Sequence, residues 1–307
     1  VHFLYLAATR EQFWCRFGIR YGAALRLSRR YDGQMRFWLH YLPALALCLT
    51  AAAFAGDLRL PLRSRVEAFK GSGVWREVQL DETLPIPQTA ILICDMWDKH
   101  WCSGATGRVQ ALALRMAPVI EAARKRGIQI IHAPSETMEF YQDWPQRQRM
   151  LGIAKTEPPA ALGLTDPPLP IDDGDGGCDT DDTFYKAWTR ENAAVPVDGA
   201  DVISDDGRQI YSFLRERGIR NLLVMGVHVN MCVLNRSFAI KQMTNWGIRC
   251  VLVRDLTDSM YNPKDRPYVS HDQGTELVVE HIERHWCPSM LSADLMKALT
   301  GDAQAAR

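Results

Sequence analysis

The 307-residue sequence predicts an α/β fold: a three-layer, doubly wound, mostly parallel sheet with helices on both faces. Three observations predict it. Short apolar runs of strand length recur, stretches with apolar residues at helical spacing separate them, and glycines stand where those stretches stop. Ala90–Cys94 reads as the first strand. Arg108–Arg126 carries Val109, Leu112, Met116, Val119 and Ile120 at helical spacing before Gly127, and Gln129–His132 reads as the next strand. The pattern then recurs: a helix over Gln209–Arg217 before Gly218, a strand over Asn221–Val227, a helix over Met231–Trp246 before Gly247, and a strand over Arg249–Val253. Strands separated by helices form parallel βαβ units.

Between the two halves, residues 155–206 are rich in Pro, Gly and Asp, as in Asp166-Pro-Pro-Leu-Pro170 and Asp172-Asp-Gly-Asp-Gly-Gly-Cys-Asp179. This insertion is too long for an ordinary connection and reads as a lid or a surface excursion. Its carboxylates Asp172, Asp173, Asp175, Asp179, Asp181 and Asp182 are of a type that could hold Ca²⁺, but they lack the spacing and terminal Glu of an EF-hand, and the sequence leaves both readings open.

Lys plus Arg and Asp plus Glu each number 36, a formal net charge of zero, and no basic stripe is present. Nucleic acid is therefore not an expected partner. Residues 35–55 read as a signal peptide: Arg36 is the charged start, Leu42–Ala52 the apolar run, and Ala53-Phe-Ala55 the small-residue cleavage pattern. Residues 1–34 would then be an upstream or leader segment, and 56–307 an exported single domain. The stretch is short for a membrane span and contains His40 and Pro43. Export permits disulfides among Cys94, Cys102, Cys178, Cys232, Cys250 and Cys287, whose pairing the spacing does not determine. The absence of a CxxC pair argues against a zinc ribbon.

Free cysteine usually packs as a small hydrophobe. Cys232 stands in a different context, in Val224-Met-Gly-Val-His-Val-Asn-Met-Cys-Val233, where an apolar strand breaks through polar residues into a helix. A helix N-terminus offers free N–H groups and the positive end of the macrodipole, which would stabilise a thiolate and lower its pKa. Asp95 closes the first strand and is the candidate general base. In an open parallel sheet, sites lie beyond the carboxyl ends of strands where strand order reverses; an order of the 3-2-1-4-5 kind would make these two strands neighbours. Trp97 and His100 are candidate pocket residues. Arg236, one turn into the helix, is a candidate for holding a substrate carboxylate, with a solvated helix face as the alternative.

The succession Ile91-Leu-Ile-Cys-Asp95, Gly226-Val-His-Val-Asn-Met-Cys-Val233 and Val251-Leu-Val-Arg-Asp255 resembles the isochorismatase-like cysteine hydrolases, the superfamily that includes nicotinamidases and carbamoylsarcosine amidohydrolases, over roughly residues 89–290. The resemblance implies that Asp95 activates Cys232 for attack on a small amide-like or enol-ether substrate, without a cofactor. It also implies a cis Val227–His228 peptide, with the N–H groups of His228 and Cys232 forming an oxyanion hole. Three departures stand out. The family's catalytic lysine is missing before the cysteine strand, leaving Lys186 as the replacement if the insertion folds back. Ser135-Glu-Thr137 stands where metal-binding relatives carry Asp-x-His, so no metal is expected. Val229 replaces the usual Thr.

Two functional readings follow from these residues. One is a hydrolase using Cys232 and Asp95. The other is a small-molecule-binding protein of the same fold that lost the lysine, and a positive group near Cys232 would separate them. A dinucleotide-dependent oxidoreductase is disfavoured because Asp95-Met-Trp-Asp-Lys-His100 puts bulky side chains where a glycine-rich turn is needed. A homo-oligomer is left open.

Overall fold

Continuous burial makes two of the apolar runs central strands. Every residue of β3 (Thr89–Cys94) and β6 (Asn221–Val227) is buried, the mark of strands covered on both faces. They pair in parallel, from Thr89 beside Asn221 to Cys94 beside Gly226. In the computed structural model, which describes residues 56–305, the other strands are β1 (Asp57–Glu67), β2 (Trp75–Pro85), β4 (Gln129–Ala133), β5 (Val202–Ile203), β7 (Arg249–Asp258) and β8 (Ser289–Met290). The sheet order is β2-β1-β8-β7-β6-β3-β4-β5. All strands from β8 to β5 along this order run parallel, and the antiparallel β1–β2 hairpin closes the β8 edge. The leader expected at 1–34 and the signal peptide expected at 35–55, with Cys15 and Cys48, lie outside the described residues.

Strand alternation sends successive side chains to opposite faces, and each face recruits its own helices. Ala90, Leu92 and Cys94 pack with α3 (Gly207–Glu216), α4 (Cys232–Asn235), α5 (Ile240–Asn245) and α6 (His271–His285) through Ile210, Val233, Met243 and Val278. Met150 of α2 (Pro145–Leu151) joins the same layer. Ile91 and Ile93 pack on the other side with Val109 and Met116 of α1 (Ser103–Lys125) and with Leu295 and Leu299 of α7 (Ser292–Ala305). The architecture is the expected three-layer, mostly parallel α/β sheet. Among the described residues, no helix is long and apolar enough to cross a membrane.

Several elements differ from the sequence expectation. The single helix expected over Met231–Trp246 is two short helices, because Arg236 leaves α4 in an extended conformation (φ −60°, ψ 153°). The last expected strand continues past Val253 to Asp258, with a register shift against β6 between Val224 and Gly226. The insertion at 155–206 is irregular up to β5, which lies inside its expected bounds and pairs with β4. An edge hairpin and the helices α6 and α7 complete the domain; α6 begins with a capping box between Ser270 and Gln273.

The insertion is tied to the sheet by buried charge. His132 on β4 meets Glu191 at 2.7 Å through Nδ1 and Asp201 at 3.1 Å through Nε2, and Arg124 of α1 pairs with Asp201. Burial opposes the imidazolium, but Glu191 and Asp201 overcome it and raise His132 from 6.5 to about 9. A folded-state pKa above the unfolded value gives stability that is fully present below about pH 6.5 and lost as pH rises through about 9. Urea unfolding of the protein and of His132→Asn should therefore give a stability difference that shrinks between these limits; a difference independent of pH would count against a charged His132.

Gly226 sets the spacing of the central strands. Its φ is +121°, and a Cβ there would lie 2.0 Å from the Cys94 carbonyl oxygen on β3. Both the backbone region and the contact exclude a side chain. Gly226→Ala should cost at least about 2 kcal/mol in denaturant unfolding, at the upper end of ordinary point changes.

Candidate active site

The two central strands end at the same level, and the chain leaves each by a sharp turn. After β3, Asp95 takes a left-handed conformation (φ 46°), and its N–H still reaches Ala133 O of the neighbouring strand at 3.1 Å. Asp95 is fully buried, and its carboxylate is held from two sides. The Ser135 N–H donates to Oδ1 at 2.7 Å, and the Arg236 Nε donates to Oδ2 at 3.0 Å. After β6 the Val227–His228 peptide is cis, and the turn leads into α4 at Cys232. The thiol of Cys232 and the carboxylate of Asp95 are close enough for each to shift the other's protonation.

Arg236 is the cation of this site. Its backbone leaves α4 as Cys232 accepts the Arg236 N–H at 3.0 Å, and its guanidinium turns onto Asp95 instead of pointing along a helix face. The charge of Arg236 acts on the Cys232 thiol as well as on Asp95. Glu136, itself left-handed at φ 64°, accepts from the outer nitrogens of the guanidinium at 3.4 Å. Lys186 is elsewhere: it is exposed, and its Nζ donates to the Glu136 carbonyl at 3.0 Å. The insertion does fold back, but what it brings to the rim is not the group that reaches Asp95.

Electrostatics give the resting protonation states. Burial raises the Cys232 pKa, and the Asp95 charge raises it further, with only Arg236 and a hydrogen bond from the His228 N–H working in the opposite direction. The resting group is a neutral thiol. This corrects the expectation of a thiolate stabilised by a helix N-terminus, since α4 has only 4 residues and one turn sums few peptide dipoles. Burial also raises Asp95, while Arg236 draws it back down. His228 is lowered to about 3 and His100 to about 4, both chiefly by burial, so neither ring is charged at neutral pH.

A cavity of about 480 Å³ opens onto Cys232, lined by Leu169, Asp173, Asn230, Met231, Asn235 and Arg236. The insertion supplies Leu169 and Asp173; Asn230 holds Asp173 by a 2.8 Å hydrogen bond and the Met260 carbonyl by one of 2.9 Å. Trp97 and His100 are buried behind this cavity and are not part of its lining. Trp97 stacks on Trp188 of the insertion at 4.3 Å, and His100 meets the His228 ring edge-on at 4.9 Å. The His228 backbone acts to lower the Cys232 thiol, and the Cys232 N–H, as the first amide of α4, has no partner within the helix. Ser135, Glu136 and Asp173, which the sequence marks only in connection with metal binding, and Leu169, which it does not mark, join the candidate site. Ser135 acts through its backbone, which leaves no mark on residue type, and the others depend on how long loops return.

No family model matches the chain, and no curated protein matches it. Among solved structures it is similar to a cysteine hydrolase from Pseudomonas syringae pv. phaseolicola 1448A, at 15% identity and a TM-score of 0.45, covering 70% of this chain and 93% of that one. It is also similar to an isochorismatase family protein from Burkholderia thailandensis, at 17% identity and a TM-score of 0.40, covering 69% of this chain and 96% of that one. A third similar structure is an isochorismatase from Pseudomonas putida KT2440, at 15% identity and a TM-score of 0.42, covering 68% of this chain and 90% of that one.

The protonation state of Cys232 has a measurable consequence. Alkylation by iodoacetamide should be slow at neutral pH and should still accelerate above pH 8.5, roughly where an ordinary solvated thiol is half ionised. Arg236→Ala should slow it further at any given pH, because the guanidinium charge acting on the sulfur is lost. Mass spectrometry of partially alkylated protein reads this out, and a rate that levels off below about pH 8.5 would refute the neutral-thiol assignment.

Proposed function

We propose that this protein is a hydrolase that uses Cys232 as nucleophile on a small amide-like or enol-ether substrate, with carbon–nitrogen cleavage favoured. One observation carries the reading: a buried carboxylate and a thiol meet at the ends of adjacent parallel strands, with a guanidinium on the carboxylate. A positive group at Cys232 is the feature expected to separate an enzyme from a binding protein of the same fold. Arg236 supplies it where the sequence has no lysine.

The chemistry follows from the proton positions. For an amide, Asp95 takes the thiol proton as the sulfur attacks the carbonyl carbon, so the nucleophile is generated in the step that uses it. A carboxylate raised by burial is a stronger base than a solvated one, and Arg236 keeps it ionised until that moment. Negative charge developing on the carbonyl oxygen is met by the N–H groups of His228 and Cys232; one such donor is worth about 2.7–4 kcal/mol in a preorganised site. As the carbon–nitrogen bond breaks, the proton on Asp95 passes to the leaving amine. Asp95 then deprotonates a water that cleaves the thioester, releasing the acid and returning the proton to the sulfur. Arg236 remains protonated throughout and acts only through its charge and its hydrogen bond to Asp95.

The test is turnover of a panel of small amides, carbamoyl compounds and enol ethers by the purified protein and its variants. Cys232→Ser should lower kcat by at least roughly 10³-fold and Asp95→Asn by roughly 10²- to 10⁴-fold, the range for a lost nucleophile and a lost general base. Arg236→Ala should move the acid limb of the pH profile upward, because Asp95 loses the charge that keeps it ionised; Arg236→Lys should restore part of the shift. Ligand binding in the cavity with no turnover, unchanged by Cys232→Ser, would replace this reading with the binding-protein one.

A further inference from the structure

We propose that Cys102, Cys178 and Asp182 form a binding site for one thiophilic divalent cation of the zinc type, a structural staple between the first turn of α1 and the insertion. Cys102 stands at the start of α1 and Cys178 and Asp182 stand four residues apart in the insertion, and their Sγ and carboxylate oxygen atoms all lie within 4.8 Å of one another. A tetrahedral centre with zinc–sulfur bonds of about 2.3 Å places two sulfurs about 3.8 Å apart, so the present geometry needs at most a small contraction. Thiolate pairs with a carboxylate suit zinc better than the harder cations that all-oxygen sets hold.

The site is built before any cation enters. Both sulfurs belong to buried residues, packed with Ala105 and Met260. Cys178 is fixed from behind, since its carbonyl accepts a 3.0 Å hydrogen bond from the buried Asn262 side chain. Gly177 just before it is left-handed (φ +64°), and a Cβ there would lie 2.2 Å from the Met260 carbonyl oxygen. Asp182 is oriented by Thr180 Oγ1 at 2.6 Å and by the N–H and hydroxyl of Ser103 at 2.7 Å each, all donating to Oδ2. Among the described residues no donor reaches its Oδ1, and no Lys, Arg or His pairs with it. The nearby cation, Arg108, is engaged by Asp179 at 2.6 Å and Asp258 at 2.8 Å. Two thiols and an ionised carboxylate thus converge without a counter-charge of their own. Asp182 is half-buried, which leaves solvent to complete the coordination.

The cation would replace the two thiol protons, which pass to solvent, and would hold the insertion at the residues leading to Asp182. The same insertion forms the Cys232 cavity wall through Leu169 and Asp173. The proposal does not depend on the hydrolase reading.

The experiment uses the full chain, treated with chelator and titrated with zinc chloride by calorimetry, then with cobalt chloride followed by absorption. One ion per chain, with a thiolate-to-cobalt charge-transfer band, is expected. Zinc should protect Cys102 and Cys178 of the unmutated protein from alkylation, read by mass spectrometry, and should raise its Tm. Cys102→Ser and Cys178→Ser should weaken zinc binding at least about tenfold, a floor set by the roughly 10- to 100-fold cost of even outer-shell changes. Cys232→Ser should bind as before. A cobalt spectrum without thiolate character, alkylation unaffected by zinc, or a Cys102–Cys178 disulfide in the protein before treatment would overturn the proposal.

Discussion

The site depends on one interaction, the ion pair between Asp95 and Arg236. A fully buried carboxylate left alone would neutralise itself by taking a proton, and then could not act as a base. The guanidinium prevents this while remaining partly solvated, so the pair avoids the full desolvation cost of two buried ions. Arginine suits the role because its Nε can engage Asp95 while the outer nitrogens face Glu136. The consequence for Cys232 is asymmetric. Asp95 disfavours a thiolate beside it, yet in the proposed reaction it is also the acceptor that makes proton removal possible during attack.

The backbone creates this proximity through three local features, two of them in conformations that ordinary residues rarely adopt. Gly226 lets β6 approach β3 without a side chain between them. Asp95 turns left-handed at the strand end, which directs its carboxylate across the crevice instead of along the strand. Arg236 abandons the helix after one turn. Had the helix continued, the side chain four residues beyond Cys232 would have stood one turn up on the same face. The break brings the guanidinium to Asp95, and the packing of Val233, Phe238 and Ile240 on either side of it anchors both short helices in one core layer.

What can be read from the sequence is whatever periodicity and residue type encode. The parallel sheet, the strands Ala90–Cys94 and Asn221–Val227, and the places of Asp95 and Cys232 after their ends come from apolar runs and their polar ends; that the two strands are neighbours is legible only once a strand order is assumed. The charge on Arg236 is visible there, but its partner is not, because the φ and ψ that break a helix at an arginine follow from tertiary packing and not from helix propensity. Lys186 is a reasonable substitute on residue type and loop reach, and only the folded path of the insertion shows it donating to the Glu136 carbonyl instead. The resting thiol is misread for a similar reason. The sequence displays a strand-to-helix junction, whereas burial and the length of α4 decide the sign of the shift. The β1–β2 hairpin escapes notice because its outer strand is mostly exposed and its pattern is polar.

The insertion gains its meaning from where it is fastened. It has little regular structure before β5, so backbone pairing fixes it only near Glu191 and at β5, and side chains carry much of the rest. At one end Glu191 and Asp201 close on His132 and Arg124; in the middle Trp188 stacks on Trp97, and Asn230 holds Asp173. These ties are of different chemistry, and each lands on an element that borders the crevice. A polar loop of this length would otherwise sample many conformations, and a cavity wall made from it would be poorly defined. Fixing it at several points lets an irregular segment serve as a defined wall, so that in the proposed reaction Leu169 and Asp173 would bound the substrate beside the reacting groups. The central strands thus hold the acid, thiol and guanidinium, while the insertion adds Leu169 and Asp173 to a cavity lined otherwise by the turn and helix after β6.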